Sequence, residues 1–404
     1  MSPNGPTGPV LHQIRRISDP WVRDATWMTG IGPDRGGPRP RGGTVPPSLA
    51  VVTSSVPPSL SVIAAQVQDR LRDFLAPEEA RWSAFDDDLA EPVREIGRLV
   101  LVGGKRLRPA FCHWGFVGAG GDPTDPRVVD AGAAFELMHA FALFHDDVMD
   151  DAASRRGNAT THTVFTQHHR EHGWAGESRR FGEGVAILVG DLAFVYADQL
   201  MVDAGPAAWR IWNELRIELN VGQVLDIVGS VRNERRRHKA ELICRYKSGK
   251  YTIERPLHLG AVMAAPERAD ELLPALSAYG LPLGDAFQMR DDVMGAFGDA
   301  AVTGKPVGGD LREGKPTPLM ARATEAATAA QAEVLALVGT QHLSDDDVAR
   351  VQQVIVDTGA LADLEATIAA LTAEAVAAID RAPITTEARD ELVALAAYVS
   401  QRST

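Results

Sequence analysis

The 404-residue sequence has few cysteines, no long apolar segment and a deficit of positive charge. Its two cysteines, Cys112 and Cys244, lie far apart and match no zinc-ligand spacing, which argues against a disulfide framework and favours a reducing compartment. No run of about 18 or more apolar residues occurs, and the N-terminus lacks a basic segment followed by an apolar core. We therefore expect a cytoplasmic protein without stable membrane insertion. The net charge of −13 also argues against general nucleic-acid binding.

The first 58 residues differ in composition from the rest of the chain. They contain eleven of the 25 prolines and eight glycines, in segments such as GPDRGGPRPRGGTVPP that cannot sustain a helix. Six arginines and three aspartates give them a charge of +3, which leaves −16 on the remainder. This composition predicts a disordered leader over residues 1–58 and a single folded domain over residues 59–404.

From Leu60 onward, apolar residues repeat at helical spacing, and no convincing alternating strand pattern occurs. This pattern predicts an all-α domain. The helices are expected at about 60–76, 84–101, 106–120, 125–151, 181–203, 206–230, 238–248, 268–298, 316–338, 346–381 and 385–401.

Two aspartate pairs lie in apolar, helix-patterned segments: Asp146-Asp147 in FALFHDDVMDD and Asp291-Asp292 in FQMRDDVMG. Burying a carboxylate without a partner is costly, so acids on two apolar helices indicate cations that neutralise them. On a helix, Asp146 and Asp150 share one face. Magnesium suits this pair, because it often takes only one or two carboxylates plus substrate phosphate oxygens. A solvated acidic helix end is the alternative for either motif taken alone.

The second motif differs from the first at its last position. Gln288, Asp291 and Asp292 follow at helical spacing, and the Gln288 amide can hydrogen-bond whatever the metal holds. A fully symmetrical motif would end in a third acid, where this chain has Gly295. We therefore expect this side of the site to bind metal through fewer carboxylates.

A basic turn, GGKRLRP at 103–109, opens one of the predicted helices. It presents Lys105 and Arg108 three residues apart, next to backbone N–H groups that favour phosphate. A positively charged helix cap without a ligand is the alternative. The segment is not a nucleotide-binding P-loop, because GxxxxGK followed by Ser or Thr is absent.

Other basic and polar residues are candidates for the same site. His139 precedes Asp146 by seven residues and shares its helix face, so it is either a ligand or a buried core histidine. Lys247 and Ser248 lie in RYKSGKYT at an apparent helix break, and Lys305 lies in the glycine-rich TGKPVGGDLREGKPT. Such lysines are either surface residues or part of a phosphate-binding lid.

These motifs together resemble a known family. GGKRLRP, ELMHAFALFHDDVMDD, RRG followed by Thr160 and His162, KSGKYT, FQMRDD and a GK-D-GK loop occur in the order found in trans-isoprenyl diphosphate synthases, which make farnesyl and geranylgeranyl diphosphate. The resemblance covers roughly residues 60–400. It implies an isoprenoid synthase-type helical bundle around a central cavity, usually a homodimer, that binds an allylic diphosphate, isopentenyl diphosphate and three Mg²⁺ ions.

The resemblance also implies residue roles. The metal ligands would be Asp146, Asp150, Asp291 and Asp292, with Asp147 in a supporting catalytic role. The allylic diphosphate would bind Arg155, Lys247, Ser248, Gln288 and Lys305, of which Lys247 is also catalytic. Isopentenyl diphosphate would bind Lys105, Arg108, His139 and Arg156.

Product length in this family is read from bulky residues just before the first motif, here Phe141 and Ala142. One aromatic followed by a small residue, with no insertion in DDVMD, resembles enzymes that make geranylgeranyl diphosphate. Farnesyl diphosphate is the alternative product. Helical geometry places Ala142 directly below Asp146 and Phe141 about 100° round the helix, so the role of Phe141 rests on the resemblance.

Two other functions remain open from the sequence. A class I terpene cyclase shares the fold and DDxxD, but it should carry a late Asn/Asp-Ser/Thr-Glu metal triad, which we do not find. A non-catalytic partner subunit should have lost acidic or basic pocket residues, and the main ones are present. The sequence departs from the family at Gly295 and at Ala159, where proline is common after RRG.

Overall fold

The computed structural model describes residues 56–155, 157–298, 308–340 and 343–401, which are almost entirely helical. The α-helices are α1 Pro58–Ser83, α2 Glu91–Val100, α3 Leu107–Gly118, α4 Pro126–Met149, α5 Thr161–Glu171, α6 Ser178–Leu200, α7 Pro206–Val231, α8 Arg237–Cys244, α9 Arg255–Ala264, α10 Ala269–Phe297, α11 Gly309–Glu313, α12 Pro318–Ala326, α13 Ala329–Leu335, α14 Asp345–Asp357, α15 Ala360–Ile379 and α16 Thr386–Gln401. A π-helix, Arg245–Glu254, joins α8 to α9. The predicted all-α class is confirmed. Residues 1–55 of the predicted leader lie outside the described residues, and its last residue, Pro58, already belongs to α1.

The remaining regular elements are short. Two 3₁₀ turns, Asp87–Leu89 and Pro266–Arg268, precede α2 and α10. The two-residue strands β1 Ser154–Arg155 and β2 Asn158–Ala159 pair antiparallel just after α4. No helix of the described ranges is long and apolar enough to cross a membrane.

Helix α4 runs through the larger of two apolar cores. The Asp125 side chain accepts a hydrogen bond from the Arg127 backbone N–H, and Pro126 begins the helix, so its N-terminus is capped. Small residues such as Ala133 and Ala134 alternate with large ones such as Phe135 and are fully buried, which lets α3 and α6 pack closely on either side. This packing fixes the direction in which the acids at the end of α4 project.

Helix α10 belongs to both cores. Its first half, including Tyr279 and Leu283, packs in the same core as α4. Its second half, including Met289 and Ala296, packs against α12, α14 and α15 in the second core. The second aspartate motif lies in this half, so both cores contribute to its position relative to α4.

Several predicted boundaries were wrong. The expected helix 84–101 is divided by the turn at Asp87–Leu89, after which α2 begins at Glu91 with proline in its first turn. The expected helix 316–338 is divided where Thr328 caps α13 through its side chain. Residues 346–381 form two helices separated at Gly359. Helices α5 and α9 and the β-hairpin were not predicted, because their segments are too short or too polar for a clear period.

Candidate active site

A cavity of about 660 Å³ opens between α4, α7, α10, the π-helix and the turn before α3. Its volume lies in the range expected for small-molecule sites. Most of the predicted site residues line it: Lys105, Arg108, His139, Ala142, Asp146, Lys247, Ser248, Gln288, Asp291 and Asp292. Residues predicted from separate motifs therefore meet in one place.

Asp146 is the acid of the first motif that faces this cavity. Its Oδ1 accepts a hydrogen bond from Gln223 Nε2 at 2.9 Å and lies 3.3 Å from Lys247 Nζ. Burial raises the pKa of the Asp146 carboxyl, but Lys247, Lys315 and Arg155 outweigh burial and hold the pKa below its ordinary value. Asp146 is therefore ionised and suited to bind a cation.

Asp150 follows the last residue of α4, one turn beyond Asp146. Burial and the neighbouring charge of Asp146 raise the pKa of Asp150 to about 6. Lys315 Nζ lies 3.7 Å from Asp150 Oδ2 and 2.6 Å from Glu313 Oε2. A divalent cation placed between Asp146 and Asp150 would remove the repulsion that raises the pKa of Asp150.

Asp147 points away from the main cavity. Arg155 donates from Nε to Asp147 Oδ1 at 2.8 Å, and its NH2 atom lies 2.6 Å from the same oxygen. Both residues line a smaller cavity of about 90 Å³ beside the hairpin. The Arg155 guanidinium also approaches Asp146 to 3.6 Å, which holds this arginine at the edge of the main site. Arg156 and Lys305, predicted to bind diphosphate, lie outside the described residues.

The second motif projects from α10 into the main cavity. Gln288 Nε2 donates to Asp292 Oδ1 at 2.9 Å, and its predicted bond to a group held by the metal stays a prediction. The other oxygen, Asp292 Oδ2, is buried and has no hydrogen-bond partner among the described residues. Burial and the charges of Asp310 and Asp291 raise the pKa of Asp292 well above its ordinary value. A buried carboxylate oxygen in this state fits a nearby cation.

These acids do not form a metal cage by themselves. Within the described ranges, no group of three His, Cys, Asp or Glu side chains is arranged to hold a metal ion. Magnesium commonly keeps waters and takes substrate phosphate oxygens, so a site completed by a diphosphate needs no such cage. The carboxylates on α4 and α10 fit that mode of binding.

The π-helix supplies one wall of the cavity. Its hydrogen bonds run from residue i to residue i+5, which widens each turn and places Lys247, Ser248, Tyr251 and Thr252 along the cavity. The π-helix also packs directly on α10, where a Cβ atom at Gly249 would lie 2.9 Å from the carbonyl carbon of Gly284. This approach brings Lys247 into the same cavity as the acids on α10.

Lys247 links the first motif to α7. Its Nζ lies 2.5 Å from Asp226 Oδ2 and 3.3 Å from Asp146 Oδ1, and it is largely buried. Burial lowers the pKa of Lys247, but Asp146 and Asp226 outweigh burial and raise the pKa above its ordinary value. The ammonium therefore stays charged beside Asp146 and Asp226.

Arg106 holds the basic turn in position. It adopts a left-handed backbone conformation at φ 48° before α3, and its buried guanidinium pairs with Glu136 of α4 and donates to Gln68 Oε1 at 2.7 Å. Its neighbours Lys105 and Arg108 consequently face the cavity. Arg108 NH2 donates to Thr252 Oγ1 at 3.1 Å. 

The Arg108 guanidinium also lies 4.3 Å from the centre of the Tyr251 ring. This cation–π contact and the bond to Thr252 orient the arginine from the π-helix side. The side chain of His139, also predicted to bind isopentenyl diphosphate, lines the same part of the cavity, 6.2 Å from Tyr251 between ring centres. The predicted binding residues on α3 and α4 are thus grouped around one aromatic ring.

Phe141 and Ala142 differ in where they point. Ala142 lines the cavity one turn below Asp146. The Phe141 ring packs against Phe194 of α6 and His145, with centroid distances of 4.8 and 4.7 Å, and it is not among the cavity-lining residues. The cavity wall at this depth is formed by Ala142, and Phe141 supports it from behind.

Several site residues were not identified from the sequence: Arg106, Glu136, Gln223, Asp226, Tyr251 and Thr252. Gln223 and Asp226 could have been identified from the sequence, because they interrupt an apolar stretch of α7 at i, i+3 spacing. The role of Arg106 could not be identified from the sequence, since its partner Glu136 is thirty residues away and lies in a segment with the apolar pattern of a core helix.

The fold and the site define an enzyme of the isoprenoid synthase class, with opposed acidic helices and basic residues around one cavity. Residues 90–355 match the family model described as polyprenyl synthetase, and the chain belongs to that family. Members of this family condense isopentenyl diphosphate with allylic diphosphates.

Similar proteins are named for products of different lengths. A geranylgeranyl pyrophosphate synthase from Corynebacterium glutamicum, crystallised with isoprenyl diphosphate and magnesium, is 37% identical with a TM-score of 0.79, covering 85% of this chain and 99% of that chain. Geranylfarnesyl diphosphate synthase from Aeropyrum pernix is 32% identical, covering 75% of this chain and 92% of its own. (2E,6E)-farnesyl diphosphate synthase from Mycobacterium tuberculosis is 30% identical, covering 71% and 75%.

Replacing Arg106 tests the support of the basic turn. Arg106→Met should lower the free energy of unfolding by about 3–5 kcal/mol, because it leaves Glu136 buried without its cation. The double variant Arg106→Met/Glu136→Met should recover most of that loss, since no unpaired charge remains. Urea unfolding of both variants measures the difference. A single variant as stable as the unmodified protein would contradict this role.

Proposed function

We propose that the protein is a magnesium-dependent trans-prenyltransferase that condenses isopentenyl diphosphate with an allylic diphosphate, giving geranylgeranyl diphosphate and pyrophosphate. The observation that carries the proposal is the meeting of two acidic motifs and two groups of cations in one cavity. One group, Lys247 and Lys315, lies beside the acids. The other, Lys105 and Arg108 with His139, lies beyond them toward α3.

The two groups suit two diphosphates with different tasks. The diphosphate that leaves during the reaction must be held by metal ions, so the allylic substrate belongs beside Asp146, Asp150 and Asp291. Isopentenyl diphosphate keeps its diphosphate throughout the reaction, and binding by Lys105 and Arg108 alone suffices. Three magnesium ions, as the family resemblance implies, would be shared by the acids on α4 and α10.

The chemistry follows from this arrangement. Bound magnesium would act as a Lewis acid on the oxygens of the allylic diphosphate. Lys247 and Lys315 stabilise the negative charge that grows on the leaving diphosphate as the carbon–oxygen bond breaks. Leu143, Leu219 and Phe287 line the cavity and exclude water from the allylic cation.

Carbon–carbon bond formation needs no protein nucleophile. The double bond of isopentenyl diphosphate attacks the allylic cation, and the new bond forms with the electron pair of that double bond. A proton is then lost from the adjacent carbon to the released pyrophosphate, which restores a double bond. Arg108, held by Thr252 and the Tyr251 ring, fixes the diphosphate end of the attacking substrate.

The activity is tested by incubating the purified protein with magnesium, isopentenyl diphosphate and dimethylallyl, geranyl or farnesyl diphosphate in turn. We expect elongated diphosphates, detected by chromatography after dephosphorylation. A cyclic hydrocarbon or alcohol would instead indicate a terpene cyclase. No elongation of any primer would leave only the non-catalytic subunit and would defeat the proposal.

Asp146→Asn provides the sharper test within the active protein. It should lower kcat on the order of 100-fold or more, because a metal ligand is lost, while isopentenyl diphosphate binding changes little. Asp151→Asn is the matched control, since Asp151 lies in the same motif but its exposed carboxylate pairs with Arg179 at 3.4 Å. Equal losses in the two variants would contradict the role of Asp146.

Product length is proposed to depend on the cavity wall below Asp146. Ala142→Phe should shorten the product, because it places a ring where the growing chain would extend. Phe141→Ala should lengthen it, because it removes the ring behind Ala142, and the exposed Phe85→Ala serves as control. Chromatographic sizing measures all three. Unchanged length in both cavity variants would overturn the assignment.

We also propose that the active form is a homodimer. Helix α7 carries exposed apolar residues spaced alternately by four and three residues: Ile217, Val221, Val224, Val228 and Val231. This is the spacing of a coiled-coil seam, and an identical seam on a second copy is complementary to it. The exposed Leu188 and Val195 of α6, seven residues apart, extend the apolar surface.

Charge introduced into this seam should separate the copies. The mass of the unmodified protein, measured by sedimentation, should be twice its chain mass of 43.3 kDa. The mass of the Val221→Glu/Val228→Glu variant should equal the chain mass. Val62→Glu, at an exposed valine of α1, should leave the mass of the unmodified protein unchanged. A monomeric unmodified protein, or a dimeric seam variant, would contradict the proposal.

A further inference from the structure

Gly295 occupies the place in the second motif that Asp150 occupies in the first. Asp150 follows Asp146 by four residues, and Gly295 follows Asp291 by four. From the sequence alone, this glycine indicates that the second motif has lost one acid. The structure shows what lies against it.

The carboxylate of Asp310 fills the space beside Gly295. A Cβ atom built on Gly295 would lie only 2.5 Å from Asp310 Cγ, and closer still to its Oδ2. No side chain larger than hydrogen fits there while Asp310 keeps its position. Asp310 lies in α11, whereas Gly295 lies in α10. Gly295 and Asp310 both line the main cavity.

Lys315 relates Asp310 to the first motif. Its Nζ lies 3.7 Å from Asp150 Oδ2 and 3.9 Å from Asp310 Oδ1. The last acid of the first motif and the carboxylate beside Gly295 therefore both lie near the same ammonium group. Asp310 thus fills the space next to the last position of the second motif and shares Lys315 with Asp150.

A second observation points to a ligand at this cluster. Asp292, whose charge interacts with that of Asp310, has an exposed fraction of only 4%. Its Oδ2 has no hydrogen-bond partner in the described part of the chain. A buried carboxylate oxygen needs a donor or a cation. Because Asp291, Asp292 and Asp310 share the cavity, a cation bound with a diphosphate would satisfy it.

We propose that Asp310 supplies the third carboxylate of the second acidic motif, and that Gly295 provides the space which this carboxylate needs. The inference rests on the proposed function, since it concerns a divalent cation that is bound together with a diphosphate. Asp310 completes the charge around that cation, and waters and diphosphate oxygens complete its coordination.

The test is the binding of Mn²⁺ to the full-length protein in the presence of inorganic pyrophosphate, followed by electron paramagnetic resonance of free Mn²⁺. Asp310→Asn keeps the size of the side chain and removes its charge, so the apparent Mn²⁺ affinity should fall about 10- to 100-fold. Gly295→Asp alone should also weaken binding, because the new side chain displaces Asp310.

The decisive variant exchanges the two residues. Gly295→Asp/Asp310→Gly returns a carboxylate to the cluster from α10, and it should restore affinity to within about threefold, well inside the loss expected for either single change. A double variant as weak as Asp310→Asn, or weaker, would overturn the proposal. If Asp310→Asn does not fold, as judged by thermal unfolding, Gly295→Ala carries the test, and unchanged Mn²⁺ affinity in it would equally overturn the proposal.

One competing role for Asp310 is the positioning of Lys315. Glu313→Gln removes the shortest ion pair of Lys315 and should lower Mn²⁺ affinity much less than Asp310→Asn does. Equal effects of these two variants would assign Asp310 to Lys315 instead. An unmodified protein that elongates primers while Asp310→Asn binds Mn²⁺ normally overturns this inference alone, whereas an unmodified protein without elongation overturns the proposed function.

Discussion

Acidic side chains enclosed by apolar helices must be matched by cations, and the architecture of this protein follows from that requirement. Glu136 is matched by Arg106, Asp146 by Lys247, and Glu218 by Arg255 at 2.6–2.7 Å. Each pair joins two different elements of the chain, so the charges help to fix the relative positions of these elements. Where the described residues offer no partner, at Asp292 Oδ2, the site calls for a cation from outside.

The opposition of the two acidic motifs depends on α10 and the π-helix together. Helix α10 is shared by both apolar cores: its first half packs in the core that includes α3, α4 and α9, and its second half packs against α12, α14 and α15. Contact between Gly249 and Gly284 then sets the depth of Lys247 relative to Asp291. Lys247 and the acids of the second motif are therefore carried by backbone that several neighbouring elements constrain, as the proposed binding of two charged substrates requires.

The fold class and the shared helix face of Asp146 and Asp150 were predictable because both are periodic: four-residue spacing puts these acids on one face. Of the two, Asp146 lines the cavity. Contacts between distant segments were not predictable. Arg106 finds Glu136 only after α3 and α4 pack, and nothing in FQMRDDVMG indicates that Asp310 fills the space next to Gly295. Phe141 shows that prediction from the sequence is limited even within a single helix. Its position before the motif suggested a cavity residue, but packing turns its ring toward Phe194.

The π-helix also changes the angular relation between the helices that it joins. Each of its turns holds more residues than an α-helical turn, so Arg255 begins α9 at a different phase from the one that an uninterrupted α-helix starting at Arg237 would give. The segment between Arg245 and Glu254 therefore acts as a phase adjustment along one continuous helical path. Its length matters as much as its composition: losing one residue would rotate Lys247 away from the cavity or turn the buried face of α9 outward, even with every other side chain preserved.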